Sequence, residues 1–215
     1  MRVLDLGCGS AGDLARWGVT AADKVTGLDI EHSSLTIARE RFPNRTYLQG
    51  AGESLPFEDE SIDRVISNVA LPYMNIQKAL AEIQRILVPG GGLSVSLHLP
   101  GFTIAELVHN AIPQPIPTLF RLYVIANGIV FHSVGKTIGF VKKRTESFQS
   151  ERGMRLALKR AGFDTFSFRR GTGPAGETFV AEARKPNLAV AIRPQAQTSS
   201  NSLRTPKKLD VRNTA

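Results

Sequence analysis

The feature that most constrains this chain is its first dozen residues, where the apolar run Arg2-Val3-Leu4-Asp5-Leu6 passes directly into Gly7-Cys8-Gly9-Ser10-Ala11-Gly12. A short apolar run closed by glycines reads as a buried strand followed by a tight turn. Glycines after a strand let the backbone approach a ligand closely, because no Cβ intrudes. Gly7, Gly9 and Gly12 satisfy the G-x-G-x-x-G spacing of a dinucleotide-binding loop. That spacing alone fits any nucleotide-binding α/β protein. Asp5 sets a carboxylate just ahead of the loop, and a carboxylate there suits a cationic ligand better than a pyrophosphate.

The rest of the N-terminal half alternates strand and helix. Strands are expected over 24–30, 45–49, 63–70 and 93–99. A short helix is expected over 13–17, stopped near Gly18, and longer helices over 31–42 and 76–87. The second long helix is ended by Pro89-Gly90-Gly91-Gly92. This alternation predicts an α/β fold with a doubly wound, mainly parallel sheet. A helix over 151–161 stopped by Gly162, then strands over 164–170 and 178–184 around a glycine-rich turn, predicts a C-terminal antiparallel hairpin. Between these parts, 102–134 is rich in apolar residues and proline, and 119–134 reads as an apolar helical insertion. Residues 186–215 lack periodicity and are expected to be a disordered basic tail. The domain proper is thus 1–185.

Charge and cysteine content narrow the function classes. The net charge is +8 over 215 residues, and it is uneven: 1–135 sums to −3, 136–170 to +7 and 185–215 to +5. The basic excess can mean an anionic partner, although a solvated helix face plus a tail accounts for it. No apolar run is long enough to span a bilayer. The single cysteine, Cys8, excludes an internal disulfide and a multi-cysteine metal site. A cytoplasmic protein without a metal centre is the expectation.

Asp29 ends the second strand 20 residues beyond Gly9, where an acid can accept hydrogen bonds from both hydroxyls of a ribose. Two further blocks follow in order: Gly50-Ala51-Gly52-Glu53-Ser54-Leu55-Pro56-Phe57, and Glu82-Ile83-Gln84-Arg85-Ile86-Leu87-Val88-Pro89-Gly90-Gly91-Gly92. Together with the glycine loop they resemble the class I S-adenosylmethionine-dependent methyltransferases, most closely the branch of ubiquinone and menaquinone biosynthesis methyltransferases. The resemblance covers about 2–99, and the C-terminal hairpin by topology. It implies a Rossmann-like sheet, S-adenosylmethionine as cofactor, and a set of cofactor-binding positions. Asp5, Gly7 and Gly9 would surround the methionine part, and Asp29 would hold the ribose with Ile30 beside the adenine. Ala51 and Gly52 would contact the adenine, and Asn68 would face the cofactor. There are two departures. The family usually has Asp where this chain has Ala51, which leaves Glu53 or water to meet the adenine amino group. Family members also carry helices before the first strand, whereas this sequence starts at that strand, so either it is truncated or another segment covers the site.

Methyl transfer from a sulfonium needs mainly positioning and exclusion of water. A general base is needed when the acceptor is protonated. The candidates are His98 at the end of the fifth strand, Tyr73 after the fourth, and His132 in the apolar segment. His98 ranks first, because ligands of parallel sheets sit at the carboxyl ends of the strands. The expected acceptor is a small apolar, phenolic or quinol-type molecule under a cap formed by 102–134, with possible contact to a membrane through such a substrate. RNA methylation is an alternative motivated by the basic segment, against which stands the lack of an aromatic stacking platform. A third alternative is a non-catalytic binding module.

Overall fold

The computed structural model of the chain describes residues 1–98, 115–138, 147–173 and 176–187. Seven strands form one sheet: β1 (Arg2–Leu6), β2 (Lys24–Asp29), β3 (Thr46–Gln49), β4 (Ile62–Asn68), β5 (Leu87–His98), β6 (Thr165–Gly173) and β7 (Gly176–Arg184). Their order is β3-β2-β1-β4-β5-β7-β6. β1 pairs in parallel with β2 and β4, β2 with β3, and β4 with β5. β7 runs antiparallel to both β5 and β6. β6 therefore points the same way as the first five strands, and β7 alone is reversed.

Burial explains the strand residues. On the central strand β1, Val3, Leu4 and Leu6 are all at most 1% exposed, as expected where helices cover both faces of a parallel sheet. Pleat alternation sends successive residues to opposite sides. Leu4, Leu6, Val65, Leu93 and Val95 join the larger core cluster, while Val3, Ile66 and Val180 join a smaller one around Leu14 and Trp17.

Among the described residues, four α-helices flank the sheet: α1 (His32–Arg41), α2 (Ile76–Ile86), α3 (Pro115–Val134) and α4 (Glu151–Arg160). α2 buries Ile76, Ala79, Leu80, Ile83 and Ile86, one helical stripe, against the larger cluster. Its start is fixed by Asn75, whose side chain accepts from the Lys78 N–H at 3.1 Å. In α4, Ser150 caps the Gly153 N–H in the same way, and Met154, Ala157 and Leu158 face inward. α3 packs on α4 through Phe131, which is fully buried; a Cβ on Gly153 would sit 2.5 Å from it.

The structure corrects three boundaries. The expected helix over 13–17 is a single 3-10 turn, Ala15–Trp17, ended by Gly18 at φ 74°. Pro89 to Gly92 do not separate α2 from the fifth strand. β5 begins at Leu87, directly after α2, and carries these residues within it. The register against β4 shifts between Ile62 and Arg64, and Gly90 takes φ 76°, so glycine here absorbs an irregularity in the strand. The hairpin strands are longer than expected, reaching Gly173 and resuming at Gly176. Of the apolar insertion 102–134, residues 102–114 lie outside the described residues, as does the tail from 188 on.

Candidate functional site

Strand order reverses around β1: the chain moves outward to β2 and β3, then crosses to β4 on the other side. Such a switch point opens a crevice at the carboxyl ends of β1 and β4. Strand register determines what faces it. Asp5 is level with Gly27 and Ile66, and Ile66 with Ser94. Counting by twos along each strand puts Asp5, Asp29, Asn68 and His98 on one face at this edge.

The glycine loop is held from both sides. Gly7 and Cys8 donate their N–H groups to the Leu28 carbonyl at 2.7 and 3.2 Å. One Asp29 oxygen accepts from the Gly9 N–H at 2.7 Å and the other from the Glu31 N–H at 2.9 Å. Asp29 thus ties the loop to the start of α1, and each oxygen keeps acceptor capacity. On the outer side, the Arg41 guanidinium donates to the Ser10 and Ala11 carbonyls and that of Arg45 to the Gly12 carbonyl at 2.9 Å. Gly7 and Gly9 take φ 70° and 52°. A Cβ on Gly7 would fall 2.1 Å from the Ala70 Cβ, whereas one on Gly9 would meet nothing within 4 Å. Gly7 is therefore a packing requirement, and Gly9 borders open space in the crevice.

Asp5 is 4% exposed. Burial pushes its carboxyl up from 3.8 to about 6, against the pull of the Arg45 and Arg16 charges and with a further push from Asp29. A buried carboxylate beside a second one is a site for a cation. Cys8 lies in the same loop; burial first, then Asp5 and Asp29, push its thiol up to about 12. It stays protonated and packs near Ala11, Leu35, Ala38 and Tyr47 as a small apolar side chain.

The segment after β3 forms the crevice wall beside β2. Gly52 is buried, and a Cβ there would come 2.5 Å from the Met74 sulfur; the Met74 methyl would stand 3.5 Å from a Cβ on Gly7. Ala51 is half-buried. Glu53 accepts from the Asn75 N–H at 2.6 Å, so its carboxylate braces the start of α2. Ile30 and Tyr73 are each 65% exposed, and Asn68 is exposed. Val69, the residue after β4, sits at φ 60°, a strained conformation for a β-branched side chain, and its N–H donates to the Ser96 carbonyl. His98, half-buried, ends β5 opposite Thr178. His132 lies elsewhere, on α3, with its Nδ1 2.9 Å from the Ser150 hydroxyl. A groove of about 560 Å³ opens at the other, amino edge of the sheet, lined by Arg64, Gly91, Ser94, Thr165 and Glu182. It is a sheet's length from the loop and shares none of its residues.

The structure thus brings together Asp5, Gly7, Gly9, Asp29, Ala51, Gly52, Asn68 and His98 along one edge, with Ile30 and Tyr73 exposed beyond it. Arg41, Arg45, Met74 and Val69 shape the same crevice and were not singled out by sequence. Only Arg41 and Arg45 had a readable signal, as basic residues near the end of α1, where they also suit the helix dipole.

The methyltransferase domain family "Methyltransf_11" matches residues 4–95. The chain is 36% identical over 108 residues to the malonyl-[acyl-carrier protein] O-methyltransferase of Pectobacterium atrosepticum, an alignment covering 50% of this chain and 42% of that protein. It is 24% identical over 194 residues to the ubiquinone/menaquinone biosynthesis C-methyltransferase of Campylobacter jejuni, covering 85% of this chain and 78% of that one. Among solved structures, a SAM-dependent methyltransferase from Methanosarcina mazei superposes with a TM-score of 0.58 at 19% identity, over 86% of this chain and 92% of that one. The matched segment and the shared fold make this chain similar to the class I S-adenosylmethionine-dependent methyltransferases, and it spans less than half the length of the malonyl-carrier relative. The matched region runs from Leu4 to Val95, which takes in the glycine loop, Asp29, the Gly50–Phe57 block and most of β5. The expected doubly wound, mainly parallel sheet with a C-terminal antiparallel hairpin is the observed one.

Proposed function

We propose that this methyltransferase moves the methyl group of S-adenosylmethionine to a small, apolar acceptor of the phenol, quinol or acyl type. The observation that carries the reading is the pair of carboxylates at the switch point: Asp5, buried and pushed up to about 6, and Asp29, tied to the Gly9 N–H at 2.7 Å. The site fits the cofactor on its own terms. Gly9 leaves room for a ligand where a side chain would stand, the Arg45 and Arg16 charges only partly offset the burial of Asp5, which an ammonium or sulfonium group would offset further, and Asp29 has acceptor capacity for ribose hydroxyls. When bound, S-adenosylmethionine supplies a methyl group already activated by the sulfonium charge.

The chain's own residues then bind, orient and exclude water. Asp5 would face the positive charge, Gly7 and Gly9 shape the loop, and Asp29 would hold the ribose. Ile30, Ala51 and Gly52 would contact the adenine, and Asn68 would face the cofactor from β4. His98 would take a proton from an acceptor that carries one, and Tyr73 would border the acceptor. Glu53 accepts from the Asn75 N–H and, like Asp29, keeps acceptor capacity, so the adenine amino group that Ala51 cannot meet is left to Glu53 or to solvent. The acceptor class is supported by relatives named for ubiquinone/menaquinone biosynthesis C-methylation, while another is named for malonyl-[acyl-carrier protein] O-methylation. Calorimetry with S-adenosylmethionine tests cofactor binding. Incubation with methyl-labelled cofactor and separate quinol, phenol, acyl-thioester and RNA pools tests the acceptor. Label appearing only in RNA would refute the acceptor assignment, and undetectable cofactor binding would refute the whole reading.

A further inference from the structure

The glycine loop holds a conformation that its residues do not all favour. Buried Ala11 takes φ 57°, alongside Gly7 and Gly9, and a residue with a Cβ rarely adopts that left-handed region. N–H donors tie the inner side of the loop: Gly7 and Cys8 to the Leu28 carbonyl, Gly9 to Asp29, and Ala11 to the Cys8 carbonyl at 2.9 Å. The outer side presents three successive carbonyls, and an arginine meets each of them. One Arg41 nitrogen donates to the Ser10 carbonyl at 3.2 Å and the Ala11 carbonyl at 2.9 Å, and Arg45 donates to that of Gly12 at 2.9 Å. Hydrogen bonds from a charged donor are about twice as strong as neutral ones.

The two arginines are themselves aimed. Arg41 lies in the last turn of α1. Arg45 closes a tight turn in which its N–H donates to the Phe42 carbonyl at 3.2 Å, and the Tyr47 hydroxyl donates to the same carbonyl at 3.3 Å. The Phe42 ring packs against Ala11, Leu35, Ala38 and Tyr47. The Arg45 guanidinium stands 4.1 Å from the centroid of that ring and the Arg41 guanidinium 5.7 Å, so one aromatic face orients both cations. Charge adds a second connection to the crevice. Asp5 is faced by Asp29 on β2, Cys8 in the loop, Tyr47 on β3, Arg16 in the 3-10 turn and Arg45 before β3. Of the two cations that pull its carboxyl down, Arg45 pulls harder than Arg16.

We propose that Arg41 and Arg45 are positioning residues of the crevice: together they hold the glycine loop in its ligand-ready conformation, and Arg45 also keeps Asp5 available to a cationic ligand as the carboxylate. The inference rests on the crevice being the cofactor site. Neither side chain has to touch the cofactor. A loop already ordered by its outer carbonyls spares the ligand the cost of ordering it, and that saving appears as affinity.

The test compares Arg41→Gln, Arg45→Gln and Arg45→Lys with wild type in the full chain. Without cofactor, hydrogen exchange of the 9–13 amides reports the loop, and NMR titration of the Asp5 carboxyl reports the charge. Calorimetry with S-adenosylmethionine from about pH 5 to about pH 8 reports binding. Loop exchange should quicken about tenfold in both Gln variants, and their cofactor affinity at neutral pH should fall about tenfold. Arg45→Gln should lift the Asp5 titration further above its value of about 6 and carry the rise of affinity to higher pH with it, because a neighbouring positive charge is gone. Arg41→Gln should leave the Asp5 titration in place. Arg45→Lys keeps the charge without the planar fork, so it should restore the pH dependence and only part of the loop protection. Arg41 is exposed and Arg45 half-buried, so the variants should fold; if Arg45→Gln does not, Arg41→Gln and Arg45→Lys still decide through loop exchange. Wild-type loop exchange in the Gln variants overturns the proposal, as does an Asp5 titration that Arg45→Gln leaves unmoved. A wild-type chain that binds no S-adenosylmethionine, with loop exchange and the Asp5 titration moving as stated, refutes the cofactor reading and upholds the positioning role.

Discussion

Replacing Asp5 by Asn separates the stability of the sheet from the function of the crevice. The carboxyl is pushed from 3.8 to about 6 chiefly by burial, so the folded state holds this proton more tightly than the unfolded chain. Between those two values the native protein carries more protons than the unfolded one, and stability must fall as pH rises through the window. About two units of displacement at about 1.4 kcal/mol per unit amount to roughly 3 kcal/mol lost by neutral pH. Asn is uncharged and of the same size, so the cofactor-free Asp5→Asn protein should be more stable than wild type at pH 7, by up to about 3 kcal/mol, and nearly equal to it near pH 4. A cationic ligand prefers the ionised carboxylate. Wild-type affinity for S-adenosylmethionine should therefore rise about tenfold per unit as pH approaches 6 from below and level off above it, while the variant should bind weakly at all pH values. Urea unfolding at the two pH values gives the stabilities, and calorimetry gives the affinities. A variant less stable than wild type at pH 7, or equally stabilised at both pH values, would refute the argument that burial of charge at Asp5 is the dominant effect.

Three other substitutions probe the same frame. Asp29→Ala removes the acceptor of the Gly9 and Glu31 N–H groups, so cofactor affinity measured by calorimetry should fall at least about tenfold, at roughly 1.5–3 kcal/mol per bond to a charged group. Gly7→Ala meets the Ala70 Cβ at 2.1 Å and should destabilise the protein severely, whereas Gly9→Ala meets nothing within 4 Å and should cost only about 1 kcal/mol of backbone strain while impairing cofactor binding; thermal melts with and without S-adenosylmethionine separate the two. Phe131→Ala empties a fully buried site between α3 and α4 and should cost about 3–5 kcal/mol in urea unfolding; a loss below about 1 kcal/mol would mean that α3 is not docked through this ring.

Much of the fold could be read from the sequence because the deciding forces act over a few residues. Apolar runs cut by Gly7, Gly18 and Gly162 delimit strands and helices by local sterics, and the 20 residues between Gly9 and Asp29 follow from one strand–loop–strand passage. Burial periodicity fixed α2, whose inward stripe was visible in the spacing of Ile76, Leu80, Ile83 and Ile86. Tertiary structure alone decided the rest. Pro89 to Gly92 read as a breaker, yet they extend within β5, because Gly92 pairs with Arg64 of β4 and Arg184 of β7, the Gly90 N–H and the Gly91 carbonyl bond to the Lys185 backbone, and glycine tolerates the shifted register. Asp29 was visible as an acid in the right place, but not its hold on the Gly9 N–H, and the arginine grip of Arg41 and Arg45 on the loop carbonyls spans some thirty residues. Glu53 was visible as an acid near the adenine position, but not its hold on the Asn75 N–H at the start of α2. Composition marked α3 as apolar nearly all round, and only its packing against α4 showed which stripe is buried and which faces water. A local pattern states that a residue prefers burial or a turn; which partner satisfies it depends on segments that meet only when the sheet has formed.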